Sequence, residues 1–206
     1  MEIINLYPGS FGSNCYLLLS DGHAAVIDPS ATAQKILSAV SERGAVLDFI
    51  LLTHGHFDHM LSLSELKAAS NAPVYIHEAD ADMPEDTYKN AFYYFFHRER
   101  TYPSPDRIVK DGDVLTLGST KIRVIHTPGH TMGSCCFLCD GDVLITGDTL
   151  FEANFGRYDL YGGDEATLFR SLRSLKEHPP QLEIYPGHGA TARLGDALER
   201  VLFFDN

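Results

Sequence analysis

The stretch "LLTHGHFDHM", residues 51–60, places three histidines and one aspartate within six positions: His54, His56, Asp58 and His59. The apolar run "DFILL" leads directly into this stretch, and a run of large apolar side chains is typical of a strand that is buried on both faces. Ionisable residues at the end of such a strand need partners, because burying a charge without one is costly. The stretch therefore predicts a metal site rather than a cluster of surface histidines.

The spacing of these four residues indicates the local geometry of the site. A helical zinc site presents its histidines four residues apart, whereas the separations here are two, two and one residues. A strand end that turns into a helix can aim the first two residues one way and the last two another. Two adjacent metal ions fit that geometry, and a single structural zinc closed by four protein ligands is the alternative.

Three more residues of ligand type follow predicted strands: His130 in "TPGHT", Asp148 in "ITGDT" and His188 in "YPGHG". Three strand–turn–ligand units in one chain are more than scattered surface histidines would produce. A carboxylate has two oxygens and can therefore bridge two ions. The predicted ligands form two sets with a shared carboxylate: His54, His56 and His130 for one ion, Asp58, His59 and His188 for the second, and Asp148 as the bridge.

Strands and helices alternate along the chain. Apolar patterns and turn residues predict strands over 3–7, 14–20, 23–28, 47–54, 72–77, 113–118, 120–127, 135–139, 142–148 and 182–188. Helices are predicted over 30–44, 61–70, 163–178 and 192–203, with Ser30 and Asp164 as N-caps and Gly44 as a stop. No linker-like or low-complexity segment divides the pattern, so residues 1–206 are predicted to form a single domain.

Two segments of the chain are similar to each other. Residues 13–29, "SNCYLLLSDGHAAVIDP", and residues 133–149, "GSCCFLCDGDVLITGDT", share a cysteine, an aromatic residue, an apolar run, a DG turn and a strand that ends near an aspartate. Two unrelated hairpins could share these features. The alternative is an old duplication into two β-rich halves, which would put Asp28 and Asp148 at related places.

The charge balance and the cysteines limit the function classes. The formal net charge of −12 disfavours an extended phosphate-binding face, so no nucleic-acid partner is expected. The first residues carry no signal-peptide pattern, and the longest apolar runs are too short to cross a bilayer. Three of the four cysteines lie within five residues of one another in a predicted strand, unlike a disulfide framework. We therefore predict reduced thiols, a cytoplasmic location and no membrane partner.

Thr53–His59 matches the motif T-H-x-H-x-D-H at every fixed position. In this motif, and in downstream motifs at His130, Asp148 and His188, the chain resembles the metallo-β-lactamase superfamily over almost its full length. The resemblance implies an α/β (α+β) fold, a four-layer αββα sandwich with two mixed sheets inside and helices outside. The predicted order of strands and helices fits that architecture.

Within the superfamily, "TPGHTMGS" and "GDTLFEANFGRYDL" are most similar to the glyoxalase II (hydroxyacylglutathione hydrolase) group. This resemblance implies hydrolysis of thioesters or related esters at two zinc ions, with iron or manganese as alternatives. Two such ions lower the pKa of a shared water, and the resulting hydroxide would attack the carbonyl. One ion would polarise the carbonyl oxygen, while Asp58 would hold the other ion and orient the hydroxide.

The chain departs from glyoxalase II at positions that recognise substrate. Arg157 and Asp159 stand where that group has a lysine and an aromatic residue, and Ala190 replaces a tyrosine. Only 18 residues follow His188, too few for the helical C-terminal domain that helps to hold glutathione. We therefore expect a small thioester or ester substrate, with Arg157 binding a substrate carboxylate through its planar fork. The alternative is that Arg157 braces its own loop through Asp159.

Several other residues have open roles. Asp28 is expected to hydrogen-bond a metal ligand or its loop, His126 either supports the site or is buried in its strand, and His77 is expected to be structural. The aromatic-rich segment 87–105 can be a helix whose aromatics complete the outer core, form a wall of the substrate cleft, or mediate self-association into a homo-oligomer.

Three other functions compete with hydrolysis of a thioester. Persulfide dioxygenases share the fold and hold a single iron with two histidines and an aspartate, so metal analysis would separate them from a two-zinc hydrolase. Nucleases of the superfamily carry an added nucleic-acid domain, and the acidic net charge argues against that function. A non-catalytic metal-binding module would not need a complete set of ligands for two ions.

Overall fold

The computed structural model describes residues 1–6 and 12–202. Its strands form two six-stranded sheets, each with the strands in chain order. The first sheet contains β1 (Glu2–Asn5), β2 (Tyr16–Ser20), β3 (His23–Ile27), β4 (Val46–Leu51), β5 (Val74–His77) and β6 (Arg107–Val109). The second contains β7 (Val114–Leu117), β8 (Thr120–His126), β9 (Cys135–Cys139), β10 (Val143–Gly147), β11 (Glu183–Pro186) and β12 (Ala192–Arg193).

Both sheets are mixed. In the first sheet β1 to β3 pair antiparallel and β3 to β6 pair parallel. In the second sheet only β10 and β11 pair parallel within the described residues. The helices are α1 (Ala33–Glu42), α2 (Leu63–Ser70), α3 (Phe92–Phe96), α4 (Glu165–Ser174) and α5 (Leu194–Leu202).

Three layers of apolar packing separate four layers of secondary structure. The alternation of side chains along β2 shows the principle, since Leu18 packs between the two sheets while Leu17 packs in the cluster shared with α1 and α2. On the other side, α4 and α5 contribute Leu168 and Leu198 to a third cluster against the second sheet. This order of helices, sheet, sheet and helices confirms the predicted αββα sandwich.

The sequence pattern located most elements but misplaced some ends. The first helix begins at Ala33 with Thr32 as its N-cap, because the hydroxyl of Ser30 instead donates to Ser13 O across the site loops. Asp164 caps α4 as predicted. Residues 192–193, predicted as helix, form β12, and the short strand β6 was not predicted. The helix α3 lies in the segment 87–105, for which a helix was one of the alternatives. Residues 7 and 203, the predicted ends of the first strand and last helix, lie outside the described residues.

The four cysteines are free and buried. Burial raises the pKa of the Cys136 thiol to about 11, so that it remains protonated and behaves as a small apolar side chain. The reduced state of the thiols stays a prediction. Among the helices of the described ranges, none has the length and apolar character needed to cross a bilayer.

The strand directions bring the predicted ligands to one side of the molecule. In the first sheet β3 and β4 run parallel, so the residues that follow them, from Asp28 and from Leu52, leave the same edge. In the second sheet β10 and β11 run parallel, so Asp148 and His188 also leave a common edge. The loops after these strands then meet at the end of the sandwich.

The packing between the sheets predicts a large cost for one substitution. Phe137 is fully buried on β9 in the cluster between the sheets. Phe137→Ala should lower the free energy of unfolding by about 3–5 kcal/mol, because it removes apolar contacts and leaves a cavity. Urea denaturation measures this loss. Val114→Ala, at a side chain that is 47% exposed, should change it by no more than about 0.5 kcal/mol; comparable losses for the two variants would contradict the assignment of the core.

Candidate metal centre

Three histidine nitrogens converge at the meeting point of the two sheets. His54 and His56 lie in the loop after β4, and His130 lies in the loop between β8 and β9. His130 Nε2 is 2.9 Å from His56 Nδ1 and 3.2 Å from His54 Nε2. All three side chains are buried. These are the three residues that the sequence assigned to one ion.

The second predicted set lies beside the first. Asp58 and His59 belong to a single 3₁₀ turn, Phe57–His59, and His188 follows β11. Asp58 Oδ2 is 3.2 Å from His188 Nε2 and 3.8 Å from His59 Nε2. The change from strand to turn places Asp58 beside His188, while the ring of His59 lies next to that of His54, with centroids 4.1 Å apart. His59 therefore also borders the first triad.

Asp148 lies between the two triads. Its Oδ2 atom is 3.6 Å from His130 Nε2 and 3.6 Å from His188 Nε2, while its Oδ1 atom is 3.3 Å from His59 Nε2. Gly187 packs against this carboxylate so closely that a Cβ at that position would overlap Asp148 Oδ1. One carboxylate therefore contacts members of both predicted ligand sets.

The carboxylate of Asp28 is hydrogen-bonded to the loop after β4. Its carboxylate accepts hydrogen bonds from Thr53 N (2.8 Å), Thr53 Oγ1 (2.7 Å) and His59 Nδ1 (2.8 Å). Asp28 and Asp148 each follow the second strand of a hairpin, and they contact the two opposite nitrogens of His59. These related places are the ones expected from the internal similarity; the duplication itself stays a prediction.

The hydrogen bonds fix which ring nitrogens carry lone pairs. Because a carbonyl can only accept, His130 Nδ1 donates to Arg157 O at 2.6 Å, which leaves Nε2 as a lone pair facing the other two histidines. His59 Nδ1 likewise donates to Asp28, which directs Nε2 towards Asp148. Three buried atoms of the cluster have no hydrogen-bond partner: His56 Nε2, His59 Nε2 and Asp148 Oδ1.

Such a set of atoms fits a cation. A buried polar atom without a partner is destabilising, and ligation of a metal by imidazole and carboxylate satisfies both atom types. Burial lowers the pKa of His54 well below its ordinary value and that of His56 to about 3, so both stay neutral and keep their lone pairs. Burial alone would also lower the pKa of His59, but Asp148, Asp28 and Asp58 outweigh it and raise the pKa well above its ordinary value. A metal bound at His59 would therefore displace a proton.

Comparison with protein families agrees with this geometry. Residues 8–188 match the family model described as the metallo-β-lactamase superfamily. The chain belongs to the metallo-β-lactamase superfamily.

Several superfamily relatives match most of the chain. The probable metallo-hydrolase YqgX of Bacillus subtilis is 33% identical over 183 residues, which cover 88% of this chain and 87% of that protein. The probable polyketide biosynthesis zinc-dependent hydrolase BaeB of Bacillus velezensis is 32% identical, over 97% of this chain and 83% of its own length. The hydroxyacylglutathione hydrolase of Rhodospirillum rubrum is 34% identical, over 93% of this chain and 68% of its own length.

Solved structures of the superfamily superpose on almost every residue. The BLEG-1 B3 metallo-β-lactamase gives a TM-score of 0.89 at 30% identity, covering 100% of this chain and 99% of its own. TTHA1623 in a di-iron-bound form gives a TM-score of 0.84 at 33% identity, covering 99% of this chain and 100% of its own.

Asp80 is a buried residue of the site that the sequence analysis missed. Its Oδ2 atom accepts hydrogen bonds from Gly55 N (3.1 Å) and Thr131 Oγ1 (2.6 Å), and its Oδ1 atom accepts one from Gly133 N (2.6 Å). Gly55 lies between His54 and His56, while Thr131 and Gly133 follow His130. Asp80 thus ties together the two loops that carry the first triad. In the sequence it is one of three acidic residues in "HEADAD", and no periodicity distinguishes it.

His77 and His126 lie outside the cluster. Their rings stack with centroids 4.0 Å apart, and His126 Nε2 donates to Met132 O at 2.8 Å. Neither residue lines the cleft above the predicted ligands. His77 therefore belongs to the packing around the site, as expected. His126 is half-buried and bonds to the loop that carries His130, which favours support of the site over burial in its strand.

A cleft of about 370 Å³ opens directly above the two triads. Its floor is formed by residues of the predicted ligand sets: His56, Asp58, His130, Asp148 and His188. Its walls are formed by apolar side chains, a glycine and one arginine: Phe57, Ala91, Phe95, Phe151, Gly156, Arg157 and Leu160. This cleft is where a substrate would meet the metal centre.

The contacts of Arg157 correct the expectation of a free carboxylate handle. Its Nε and Nη2 atoms donate to the two oxygens of Asp159 at 2.7 and 2.8 Å, a bidentate pair. Its main-chain oxygen accepts from His130. The side chain lines the cleft, but its fork already has a carboxylate partner. The alternative of a loop braced by Asp159 is the one that these contacts support.

The aromatic segment 87–105 combines two of its expected roles. Tyr102 is buried, and its hydroxyl donates to Phe57 O at 3.3 Å, while Tyr94 and Phe95 are 57% and 44% exposed. Phe95 also lines the cleft. The segment therefore completes the packing around Phe57 and forms part of the cleft wall, while its role in self-association stays a prediction.

The contacts of Asp80 predict a positioning role. Asp80→Ala should weaken metal binding by about 10- to 100-fold, because two loops that carry predicted ligands lose a common acceptor. Asp80→Asn should recover part of this loss, since its amide oxygen still accepts. Competition with a chromophoric chelator measures the affinity. The control is Asp82→Ala, whose side chain is 64% exposed and pairs with Lys89; a native affinity in Asp80→Ala would contradict this role.

The pairing of Arg157 predicts equal effects on charged and neutral substrates. Arg157→Ala should lower kcat/KM by the same factor for an anionic ester and for a neutral ester, because the side chain supports its loop rather than the substrate. Steady-state kinetics with matched esters measure the two factors. A loss confined to the anionic ester would restore the carboxylate-binding role.

Proposed function

We propose that this protein is a metal-dependent hydrolase that cleaves thioesters or related esters of small molecules at a centre of two metal ions. The observation that carries the proposal is the position of Asp148, whose carboxylate contacts His130 of one triad and both His59 and His188 of the other. Two complete sets of three ligands with a carboxylate between them support two ions better than one closed structural site.

The residues present would hold the ions in the division that the sequence suggested. His54, His56 and His130 would hold one ion, Asp58, His59 and His188 would hold the other, and Asp148 would contact both. Two ions so held would lower the pKa of water towards neutrality and polarise a substrate carbonyl. Zinc is the metal we propose, supported by the zinc-dependent relative BaeB. Iron or manganese is the alternative, and the di-iron form of TTHA1623 supports iron.

Asp58 is the residue that we assign to catalysis. Burial acts to raise its pKa, but His59 and His188 outweigh burial and hold the pKa below its ordinary value. The carboxylate is therefore ionised and accepts hydrogen bonds. It lines the cleft, so it can accept one from an attacking water and fix the direction of attack. Asp28 supports the site indirectly, because it accepts a hydrogen bond from His59 Nδ1 and so fixes the orientation of that ring.

The composition of the cleft favours a leaving group that needs no protonation. Apart from the predicted ligands, Arg157 is the only titratable side chain among the described lining residues, and a guanidinium stays protonated. An amine leaving group needs a proton from a general acid, whereas a thiol with a pKa of about 8.5 can depart as a thiolate. This difference supports a thioester over an amide. The hydroxyacylglutathione hydrolase relative supports the same class.

The substrate itself need not be a glutathione thioester. Asp159 pairs with Arg157, and neither it nor Ala190 supplies the aromatic group found at these places in glyoxalase II. We propose a small-molecule substrate, without nucleic-acid or membrane partners. The net charge of −12 argues against a nucleic-acid partner.

The direct test is turnover by protein loaded separately with zinc and with iron. A panel should contain small thioesters, oxygen esters, lactones, a β-lactam and a persulfide. We expect thioesters to have the highest kcat/KM with the zinc form, and oxygen uptake with the persulfide to be absent. Oxygen consumption by the iron form without thioester turnover would replace the proposal by a dioxygenase.

Asp58→Asn tests the assignment of the catalytic carboxylate. We expect kcat to fall by about 100-fold or more, as for other well-placed catalytic groups, with little change in metal affinity at the His54, His56 and His130 triad. Rapid kinetics and metal titration measure the two quantities. Asp142→Asn, on the exposed β9–β10 turn, is the control. A kcat close to that of the native protein would remove Asp58 from the mechanism.

A further inference from the structure

One wall of the cleft is an apolar surface that begins at the metal ligands themselves. Phe57 stands between His56 and Asp58 in the chain, and its ring lines the cleft. Ala91 and Phe95 from the segment around α3 continue this wall. Phe151 and Leu160 supply apolar side chains from the loop after β10. A substrate whose carbonyl reaches the metals must place its neighbouring atoms against these side chains.

Contacts around Phe57 build this wall before any substrate arrives. The Phe57 ring packs against Phe92 and Phe95 of α3, with centroid separations of 5.4 and 5.7 Å. Its main-chain nitrogen donates to Asn90 O at 3.0 Å, and its oxygen accepts from the hydroxyl of Tyr102. A preformed apolar wall binds an apolar group without a cost for ordering its own side chains.

The wall offers little to a negatively charged group. Arg157 is the only lysine or arginine among the described lining residues, and its Nε and Nη2 atoms already donate to the two oxygens of Asp159. The guanidinium also lies over the rings of Tyr94 and Phe95, at 5.3 and 5.7 Å from their centroids. A substrate carboxylate would have to displace Asp159 to form a bidentate pair with Nε and Nη2, and it would compete with these ring contacts.

We propose that the acyl group accepted by this cleft is uncharged and apolar, an aromatic or branched acyl group of a size that fits about 370 Å³. This rests on the proposed function, because it names the substrate class of the same site. It replaces the small acidic acyl group that Arg157 suggested in the sequence. The apolar side chains exclude water next to the reacting carbonyl, and Phe95 determines which acyl groups fit.

The test uses thioesters of one neutral thiol, N-acetylcysteamine, that differ only in the acyl group: phenylacetyl, acetyl and succinyl. With rates corrected for uncatalysed hydrolysis, kcat/KM should be at least about 10-fold higher for phenylacetyl than for acetyl or succinyl, the discrimination that an apolar pocket gives. A preference for succinyl, or equal values for all three, would overturn the inference.

Two alanine substitutions on α3 locate the effect. Phe95→Ala should reduce the ratio of the phenylacetyl to the acetyl kcat/KM by about 10-fold. Phe96→Ala is the matched control, because Phe96 packs on Phe57 from the same helix but does not line the cleft. It should leave the ratio unchanged. A fall of the ratio in the control alone, or in neither variant, contradicts the role of Phe95.

A binding measurement separates this inference from the proposed function. Calorimetric titration of the metal-loaded protein with phenylacetamide and with succinamate compares the two acyl groups without catalysis. If no thioester is hydrolysed but phenylacetamide binds more tightly, and Phe95→Ala removes the difference, the thioester activity is wrong and the apolar cleft stands. If succinamate binds more tightly, the apolar cleft is wrong whatever the activity.

Discussion

A cluster of buried lone pairs and carboxylates is the constraint on which the rest of this structure depends. His130 Nε2, His59 Nε2 and Asp148 Oδ1 face one another in the interior, and the last two have no hydrogen-bond partner. Each buried polar atom without a hydrogen-bond partner lowers the stability of the fold by about 1–3 kcal/mol. Binding of cations resolves this conflict, because the nitrogens and the carboxylate oxygen become ligands and His59 releases the proton that its raised pKa retains. The free energy of metal binding is then also free energy of folding for these loops.

Two further carboxylates, those of Asp28 and Asp80, accept hydrogen bonds from the loops that carry the predicted ligands. Asp28 holds Thr53 and His59 on the side of the first sheet, and Asp80 joins the loop of His54 and His56 to the loop of His130. Burial raises the pKa of Asp80, while its hydrogen bonds from Thr131, Gly133 and Gly55 oppose that rise. Asp28 and Asp80 therefore hold the predicted ligands in place without being ligands themselves. Substitutions at these two residues should alter the geometry of the centre although neither residue contacts a metal.

The sequence predicted most of the fold and the whole of the candidate cluster, for physical reasons. Strands buried on both faces leave long apolar runs in the sequence. The run "DFILL" therefore predicts a buried strand, and "THGHFDH" directly after it predicts ligands at the end of that strand. The strand β6 was not predicted, because three residues carry no measurable periodicity. The helix α3 covers five residues of the segment 87–105, so a helix there was only one of several alternatives. Asp80 escaped because its role depends on Gly55 and on Thr131 and Gly133, which are far from it in the chain. The sequence also left undecided whether Arg157 pairs with Asp159 or binds a substrate carboxylate. The two residues are close in the chain, but the sequence does not show whether their side chains are in contact.

The central claim is that the seven side chains form one centre for two metal ions joined by Asp148. The most direct measurement is anomalous scattering from crystals of the fully metal-loaded protein, together with elemental analysis of the same sample. The account predicts two ions per chain, about 3.5–4 Å apart, both within bonding distance of the Asp148 carboxylate. A single ion at the His54, His56 and His130 triad in fully loaded protein, with the second triad empty, would contradict it.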